Sequence, residues 1–170
     1  MRYMIPGKVF NRDQAFQKIK HFCAYQERCH REVKDKLCSF GLRKPDVEAT
    51  LSQLIEEDYL NEERFARQFA GGKFRMKKWG KVKITYELKQ KQVSAYCIKK
   101  ALEEISGEAY HESLQNLIRQ KWEILKKEAN PFLKKRKLMD WLLQKGYEAS
   151  LVNSEMKNID SGKDVETGSV

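Results

Sequence analysis

The sequence predicts an all-α protein made of three tandem three-helix repeats that form an elongated, curved stack, and three observations carry this expectation. The first is a six-position apolar pattern, Val33, Leu37, Leu42, Val47, Leu51, Leu54, which returns as Ile84, Leu88, Val93, Ile98, Leu102, Ile105 and again as Leu138, Leu142, Tyr147, Val152, Met156, Ile159. The internal offsets are identical each time, and a fixed period means repeated structural units. The second is that the spacings within each half are three or four residues, so each copy reads as two amphipathic helices joined at a tight corner. The third is composition: 170 residues hold only nine glycines and three prolines, which favours long helices and gives strands little support.

The elements follow in order. Residues 1–12 read as a leader whose start, Met1 to Gly7, has no extended apolar stretch and so no secretion signal. The first repeat spans 13–60, opening with a helix from Asp13 to Gln26 whose stripe is Ala15, Phe16, Ile19, Phe22 and Cys23. The second spans 61–107. Its first helix, Glu62 to Lys78, follows the capping residue Asn61 and carries Phe65, Phe69 and Phe74 as core aromatics. The third, 108–159, opens with a helix from Glu108 to Glu128, followed by Asn130-Pro131, a cap with proline at the first helical position. Gly41 and Gly146 stand just before the corner residue in copies one and three, where a helix end wants left-handed geometry; copy two has Gln92 there. Gly71-Gly72, inside a helical stretch, is expected to mark a kink or close helix packing. Residues 160–170 lack large apolar anchors apart from valine and read as a disordered tail.

Charge is segregated along the chain, whose formal net charge is +10. Between Asp46 and Glu63 there are seven acidic residues and no basic one; from Arg64 to Lys91 there are ten basic residues and one acid, Glu87. A third block, Arg119 to Lys137, has eight basic residues against Glu123 and Glu128. Such blocks suit a polyanionic or acidic partner better than a small neutral substrate. The expected binding residues are Arg64, Arg67, Lys73, Arg75, Lys77, Lys78, Lys81 and Lys83 around the Trp79-Gly80 junction, with Lys134, Lys135, Arg136 and Lys137 as a second patch. Of these, Lys77, Lys78, Lys81 and Lys83 are expected to be exposed.

Catalytic patterns are missing from the sequence. His21, His30 and His111 sit in charged helical contexts without a partner pattern, and there is no phosphate-binding glycine loop or nucleophile elbow, so the chain is expected not to be an enzyme. Cys23, Cys29, Cys38 and Cys97 fall at irregular spacings on presumed helices and read as small buried hydrophobes; without a Cys-x-x-Cys knuckle, neither a metal nor another cofactor is expected. The apolar run Trp141-Leu142-Leu143 is far short of a membrane span, and a cytoplasmic location without membrane association is expected.

One stretch also resembles a known family. Asp58-Tyr59-Leu60-Asn61-Glu62-Glu63-Arg64-Phe65-Ala66, then Trp79-Gly80-Lys81-Val82-Lys83-Ile84 and Glu87-Leu88-Lys89-Gln90-Lys91, resembles the most recognisable region of the bacterial regulatory protein RecX family. That family reads Gly-Tyr-Leu-Asp/Asn-Asp/Glu-x-Arg-Phe, then Gly-x-x-x-Ile-x-x-Glu-Leu. The similarity extends upstream to Arg31-Glu32-Val33-x-x-Lys36-Leu37 and downstream to Lys137-Leu138-x-x-Trp141-Leu142-Leu143-x-x-Gly146-Tyr147, covering roughly residues 13–158. Two departures are Asp58 and Gln92, which stand where the family has glycine. The resemblance implies a monomeric, non-enzymatic protein that binds the RecA recombinase filament on DNA and negatively modulates its ATPase, strand exchange and assembly in recombination and DNA repair. Weak, sequence-blind binding to DNA alone would accompany it. The competing expectation is a basic helical-repeat nucleic-acid-binding protein, because three-helix units with a tight corner also describe helix-turn-helix domains.

Overall fold

Residues 9–160 are described by a computed structural model, and all their regular structure is helical. The helices are α1 (Arg12–Tyr25), α2 (His30–Ser39), α3 (Lys44–Glu56), α4 (Glu62–Lys77), α5 (Lys81–Gln90), α6 (Ala95–Glu103), α7 (Gly107–Ile124), α8 (Pro131–Lys145) and α9 (Ala149–Asp160), with a 3-10 turn at Leu125–Lys127. They form the three-helix blocks that the repeated pattern predicts. Each block is a long leading helix followed by two helices at a corner. The expected tail lies outside the described residues beyond Asp160, as does the leader up to residue 8. α1 starts at Arg12 because Asn11 caps it: the Asn11 side chain accepts from Gln14 N at 2.9 Å, and the Gln14 side chain reaches back to Asn11 N.

The repeated apolar positions face inward. Of the eighteen, Leu42, Leu102, Met156 and Ile159 are half-buried, and the others are buried. Three helix ends close in the same way. After α3, Asp58 N donates to Ile55 O and Tyr59 N to Leu54 O; after α5, Gln92 N donates to Lys89 O and Val93 N to Leu88 O; after α8, Gly146 N donates to Leu143 O and Tyr147 N to Leu142 O. This paired 6→1 and 5→2 pattern requires a left-handed residue at the first position past the helix, and Asp58 (φ 56°), Gln92 (φ 60°) and Gly146 (φ 90°) supply it. The two departures from the family's glycines therefore sit where left-handed geometry is obligatory, at a cost of about 1 kcal/mol each. The anchoring carbonyls belong to Leu54, Leu88 and Leu142, all fully buried, so each cap ties a turn directly to the core.

Two of the expectations are corrected here. α4 runs unbroken through Gly71-Gly72: a Cβ on Gly72 would meet nothing within 4 Å, and the atoms nearest a Cβ on the buried Gly71 belong to the guanidinium of Arg75 on the same helix. The tightest neighbour of the pair is therefore its own helix. Among the cysteines, Cys23, Cys29 and Cys97 are buried as expected, but Cys38 is exposed, because its position on α2 is next to the core-facing Leu37 rather than on that stripe. Cys29 is the N-cap of α2, not a helical residue.

The chain divides into two compact units, one made of residues up to Phe69 with Leu88–Ala101, the other of Ala70–Glu87 with everything from Leu102 on. In the first unit, α1, α2 and α3 pack mutually around Ala15, Phe16, Ile19, Cys23, Val33, Leu37, Val47, Leu51, Leu54 and Leu60. The Leu88–Ala101 segment is fastened by Arg31 Nη1 on Gln90 O (2.8 Å), Lys91 on Glu32 (2.6 Å) and Ser94 Oγ on Glu62 (2.7 Å). Arg64 bridges Glu27 at 2.6 Å and both carboxylate oxygens and the carbonyl of Asp58, holding the left-handed corner from outside.

The second unit packs α7, α8 and α9 against the 70–87 segment through an unusual end-to-end helix contact. The first N–H groups of a helix have no partner within it, nor do its last carbonyls. Here they satisfy one another: Gly80 N donates to Lys145 O (2.8 Å) and Val82 N to Gly146 O (3.0 Å), while Lys81 N donates to the Tyr110 hydroxyl (2.9 Å). The contact exists only because both residues lack side chains. A Cβ on Gly80 would lie 2.1 Å from Gly146 O, and one on Gly146 would lie 2.2 Å from Lys83 Cβ.

The two kinds of glycine separate in denaturant unfolding. Gly80→Ala is expected to cost about 3 kcal/mol or more by forcing the backbones apart, whereas Gly72→Ala, in open space within a helix, should gain up to about 1 kcal/mol. In the native protein, one thiol, Cys38, should react quickly with a disulfide reagent; burial pushes the Cys23 thiol up to about 11 and raises those of Cys29 and Cys97. Fast modification of all four would overturn that assignment.

Candidate polyanion interface

The basic corner belongs to the second unit. α4 ends at Lys77, where Lys78 takes a left-handed conformation (φ 54°) and its N–H closes on Phe74 O at 3.0 Å. The chain then passes through Trp79 to Gly80 and turns straight into α5. Because the Gly80–Gly146 contact pins that turn, the side chains on either side of it have defined places.

These cations fall into two groups. Lys73 and Lys83 set their ammonium groups 5.2 and 4.8 Å from the Trp79 ring centre, and Lys81 lies 4.9 Å from the ring of Tyr110. All three are half-buried, their aliphatic stems lying along aromatic surface. This corrects the expectation that Lys81 and Lys83 are exposed, and the cause is the ring each one covers. Lys83 Nζ also reaches Gln144 O at 3.4 Å, and Lys145 Nζ donates to Lys77 O at 3.2 Å, so lysines cap the ends of both α8 and α4. The second group, Arg75, Lys77 and Lys78, is exposed. Beside it stand exposed apolar side chains, Met76, Val82 and Tyr86.

The remaining sequence-predicted residues divide. Arg64 and Arg67 belong to the first unit and are ion-paired, Arg64 to Glu27 and Asp58, Arg67 to Glu63 at 2.7 Å. They line a cleft of about 450 Å³ with Asn61, Glu63 and Gln68. On α8, Lys134 Nζ lies 3.7 Å from the Trp122 ring centre, Lys137 pairs with Glu128, Lys135 is half-buried, and Arg136 is exposed. Sequence reasoning missed the aromatic partners. Lys121 and Lys145 flank Trp141 at 5.2 and 5.3 Å; the Trp141/Lys145 spacing of four was legible on one helix face, but the approach of Lys121 from α7 was not. From Lys137 to Lys145 is eight helical residues, about 12 Å, so the second patch sits well up α8 from the corner.

Beneath the corner lies a polar cluster. The Tyr110 hydroxyl donates to Glu148 at 2.6 Å, its ring stacks on Tyr147 at 5.0 Å, and the Tyr147 hydroxyl shares a hydrogen bond with Ser113 at 3.2 Å. Burial raises the Tyr110 hydroxyl far above its ordinary value, and the hydrogen bond to Glu148 raises it further. Among the described residues, no group of three His, Cys, Asp or Glu side chains is placed to hold a metal ion, and no helix is long and apolar enough to cross a membrane.

Three-helix blocks in tandem define a helical-repeat protein. Residues 61–102 match the second three-helix domain of RecX, and residues 108–155 match the third. The chain belongs to the RecX family. It is 30% identical over 137 residues to the regulatory protein RecX of Clostridium perfringens strain 13, which covers 80% of this chain and 64% of that relative. It is likewise 30% identical over 154 residues to RecX of Lactobacillus gasseri, covering 88% and 55%. The chain thus spans less than two thirds of the length of these curated relatives. Its fold is similar to the crystal structure of RecX from Lactobacillus salivarius, with a TM-score of 0.78 at 19% identity over 88% of this chain and 97% of that one. A second crystal structure, of regulatory protein RecX, aligns with a TM-score of 0.77 at 20% identity.

The buried phenol sets a pH limit. A hydroxyl whose pKa is raised on folding contributes stability that is fully present below its unfolded value, about 10, and lost as pH climbs above it. Tyr110→Phe should therefore flatten the alkaline fall in stability, while costing about 1–3 kcal/mol at neutral pH by orphaning Lys81 N and Glu148. An unchanged alkaline limb would show that Tyr110 is not its source.

Proposed function

We propose that the chain binds the RecA recombinase filament on DNA, as a cytoplasmic monomer without a cofactor, and restrains the filament's ATPase, strand exchange and assembly. Its family membership, through both matched three-helix domains, carries this reading. The basic corner supports it physically. Arg75, Lys77 and Lys78 are exposed cations on a turn held by backbone hydrogen bonds, so little ordering entropy is lost when they meet an anionic partner. A groove lined by protein and nucleic acid presents both carboxylates and phosphates to such a surface, while Met76, Val82 and Tyr86 add apolar contact at its edge.

The corner also favours a second reading, direct binding of nucleic acid, and salt separates the two. Phosphate neutralisation releases condensed counterions at about 0.7 to 0.9 per contact, whereas pairing with carboxylates does not. Reversing Arg75, Lys77 and Lys78 to glutamate in the full chain is expected to weaken binding to RecA-coated single-stranded DNA and to abolish most of the ATPase inhibition, with circular dichroism unchanged. If RecA carboxylates are the partners, the salt slope stays shallow; if phosphates are, the variant lowers the slope by about 2. Full inhibition by the folded, reversed variant would remove the corner from the interface. Wild-type protein that ignores the filament and binds bare DNA would favour the second reading.

A further inference from the structure

α8 has two apolar faces, and the core uses one of them. Leu138 and Leu142 are fully buried, and Lys134, Trp141 and Lys145 flank them on the same side. On the opposite side, Phe132 is 71% exposed, Leu133 41% and Leu143 39%, with Met139 half-buried among them. Positions 132, 136, 139 and 143 recur at steps of four, three and four, so Phe132, Arg136, Met139 and Leu143 lie along one line of the helix. Single exposed hydrophobes are ordinary on a protein surface, but an aligned row over three turns is the pattern of a helix that seats in a groove.

This row is held in place before any partner arrives. Asn130 Oδ1 accepts from both Phe132 N (3.0 Å) and Leu133 N (3.3 Å), Pro131 occupies the first helical position, and Glu128 holds both Asn130 N and Lys137. Across the turn, Ile124 at the end of α7 is also exposed. The run of four cations on α8 sorts around the row: Lys134 covers Trp122, Lys135 is half-buried and Lys137 pairs with Glu128, while Arg136 stands exposed one turn beyond Phe132 and Leu133. Asp140, also exposed, follows one turn later.

We infer that this outward face of α8 is a second docking surface, taken by a protein partner whose apolar groove carries a carboxylate opposite Arg136. The chemistry favours protein over the alternatives. A nucleic acid backbone needs several cations along the contact, and this face has one on its axis, next to a carboxylate. An anionic membrane surface likewise requires a basic rim around the apolar row, but Lys134 is turned toward Trp122 and Lys137 toward Glu128, and Lys135 is half-buried. A guanidinium centred among Phe, Met and Leu is the composition of a protein–protein hot spot.

The inference rests on the functional reading above for its probe, the RecA filament on single-stranded DNA. In the full chain, Phe132→Ser with Leu143→Ser should raise the Kd for that filament about tenfold or more. The salt slope and the melting temperature should not change, nor should binding to bare single-stranded DNA. Arg136→Glu should weaken filament binding several-fold, by opposing a partner carboxylate, and Arg136→Lys should restore part of it. Equal filament binding by the folded double variant overturns the inference alone. A wild-type dimer that the double variant dissolves in sedimentation also overturns it, by making a second copy the occupant, and so does wild-type binding to phosphatidylglycerol vesicles that the variant loses. Wild-type protein that fails to bind the filament overturns the functional reading itself, and this inference with it.

Discussion

The abutment of α5 on α8 is the contact on which the second unit depends. A helix N-terminus exposes N–H groups and carries partial positive charge, and a C-terminus exposes carbonyls and carries partial negative charge. Gly80 N and Val82 N meet the carbonyls of Lys145 and Gly146, so two sets of orphan groups are satisfied by one approach and the two dipoles run head to tail. The approach is too close for any side chain at Gly80 or Gly146. From it follow the direction in which α5 leaves, the place of Trp79, and the positions of the lysines that cover Trp79 and Tyr110.

The helix ends after α3, α5 and α8 show how one cap geometry tolerates unlike residues. Asp58, Gln92 and Gly146 take the same left-handed conformation and the same pair of hydrogen bonds, although only one is glycine. At Asp58 the side chain is put to use, since its carboxylate receives Arg64 and locks the turn from outside. At Gln92 the strain of about 1 kcal/mol is offset by the cap's own two hydrogen bonds, one of them to the carbonyl of the fully buried Leu88. Of the three, Gly146 is constrained twice: its left-handed φ of 90° favours glycine, and the neighbouring helix occupies the space a Cβ would fill.

Net charge overstates the free cation surface. Many of the lysines and arginines counted in a charge run are engaged with rings, carboxylates or helix-end carbonyls of their own unit. Lys73, Lys81, Lys83, Lys134 and Lys145 lie over aromatic rings, and Arg64, Arg67 and Lys137 pair with acids. What remains exposed at the corner, Arg75, Lys77 and Lys78, is a compact group on a rigid turn, better suited to specific placement against a partner than to diffuse attraction.

The local order of this protein was legible in its sequence. Helix positions, the Asn61 and Asn130 caps, the inward-facing repeat positions and the left-handed demand at Gln92 follow from residue spacing and backbone sterics, which act over a few residues and leave a direct trace in the chain, whereas position 58 was marked only by the family resemblance. Which cations stay exposed was decided elsewhere. Lys83 is drawn over Trp79 four residues away, but Lys81 over Tyr110 and Lys134 over Trp122 through contacts between helices, and Lys121 reaches Trp141 from another helix altogether. The need for glycine at position 80 was equally invisible, because the atom that forbids a side chain there, Gly146 O, lies 66 residues further along the chain and is brought within reach only by the packing of α8. Periodicity determines which face of a helix is buried, whereas tertiary structure decides what each exposed-looking side chain meets, since that depends on neighbours whose separation along the chain has no fixed period.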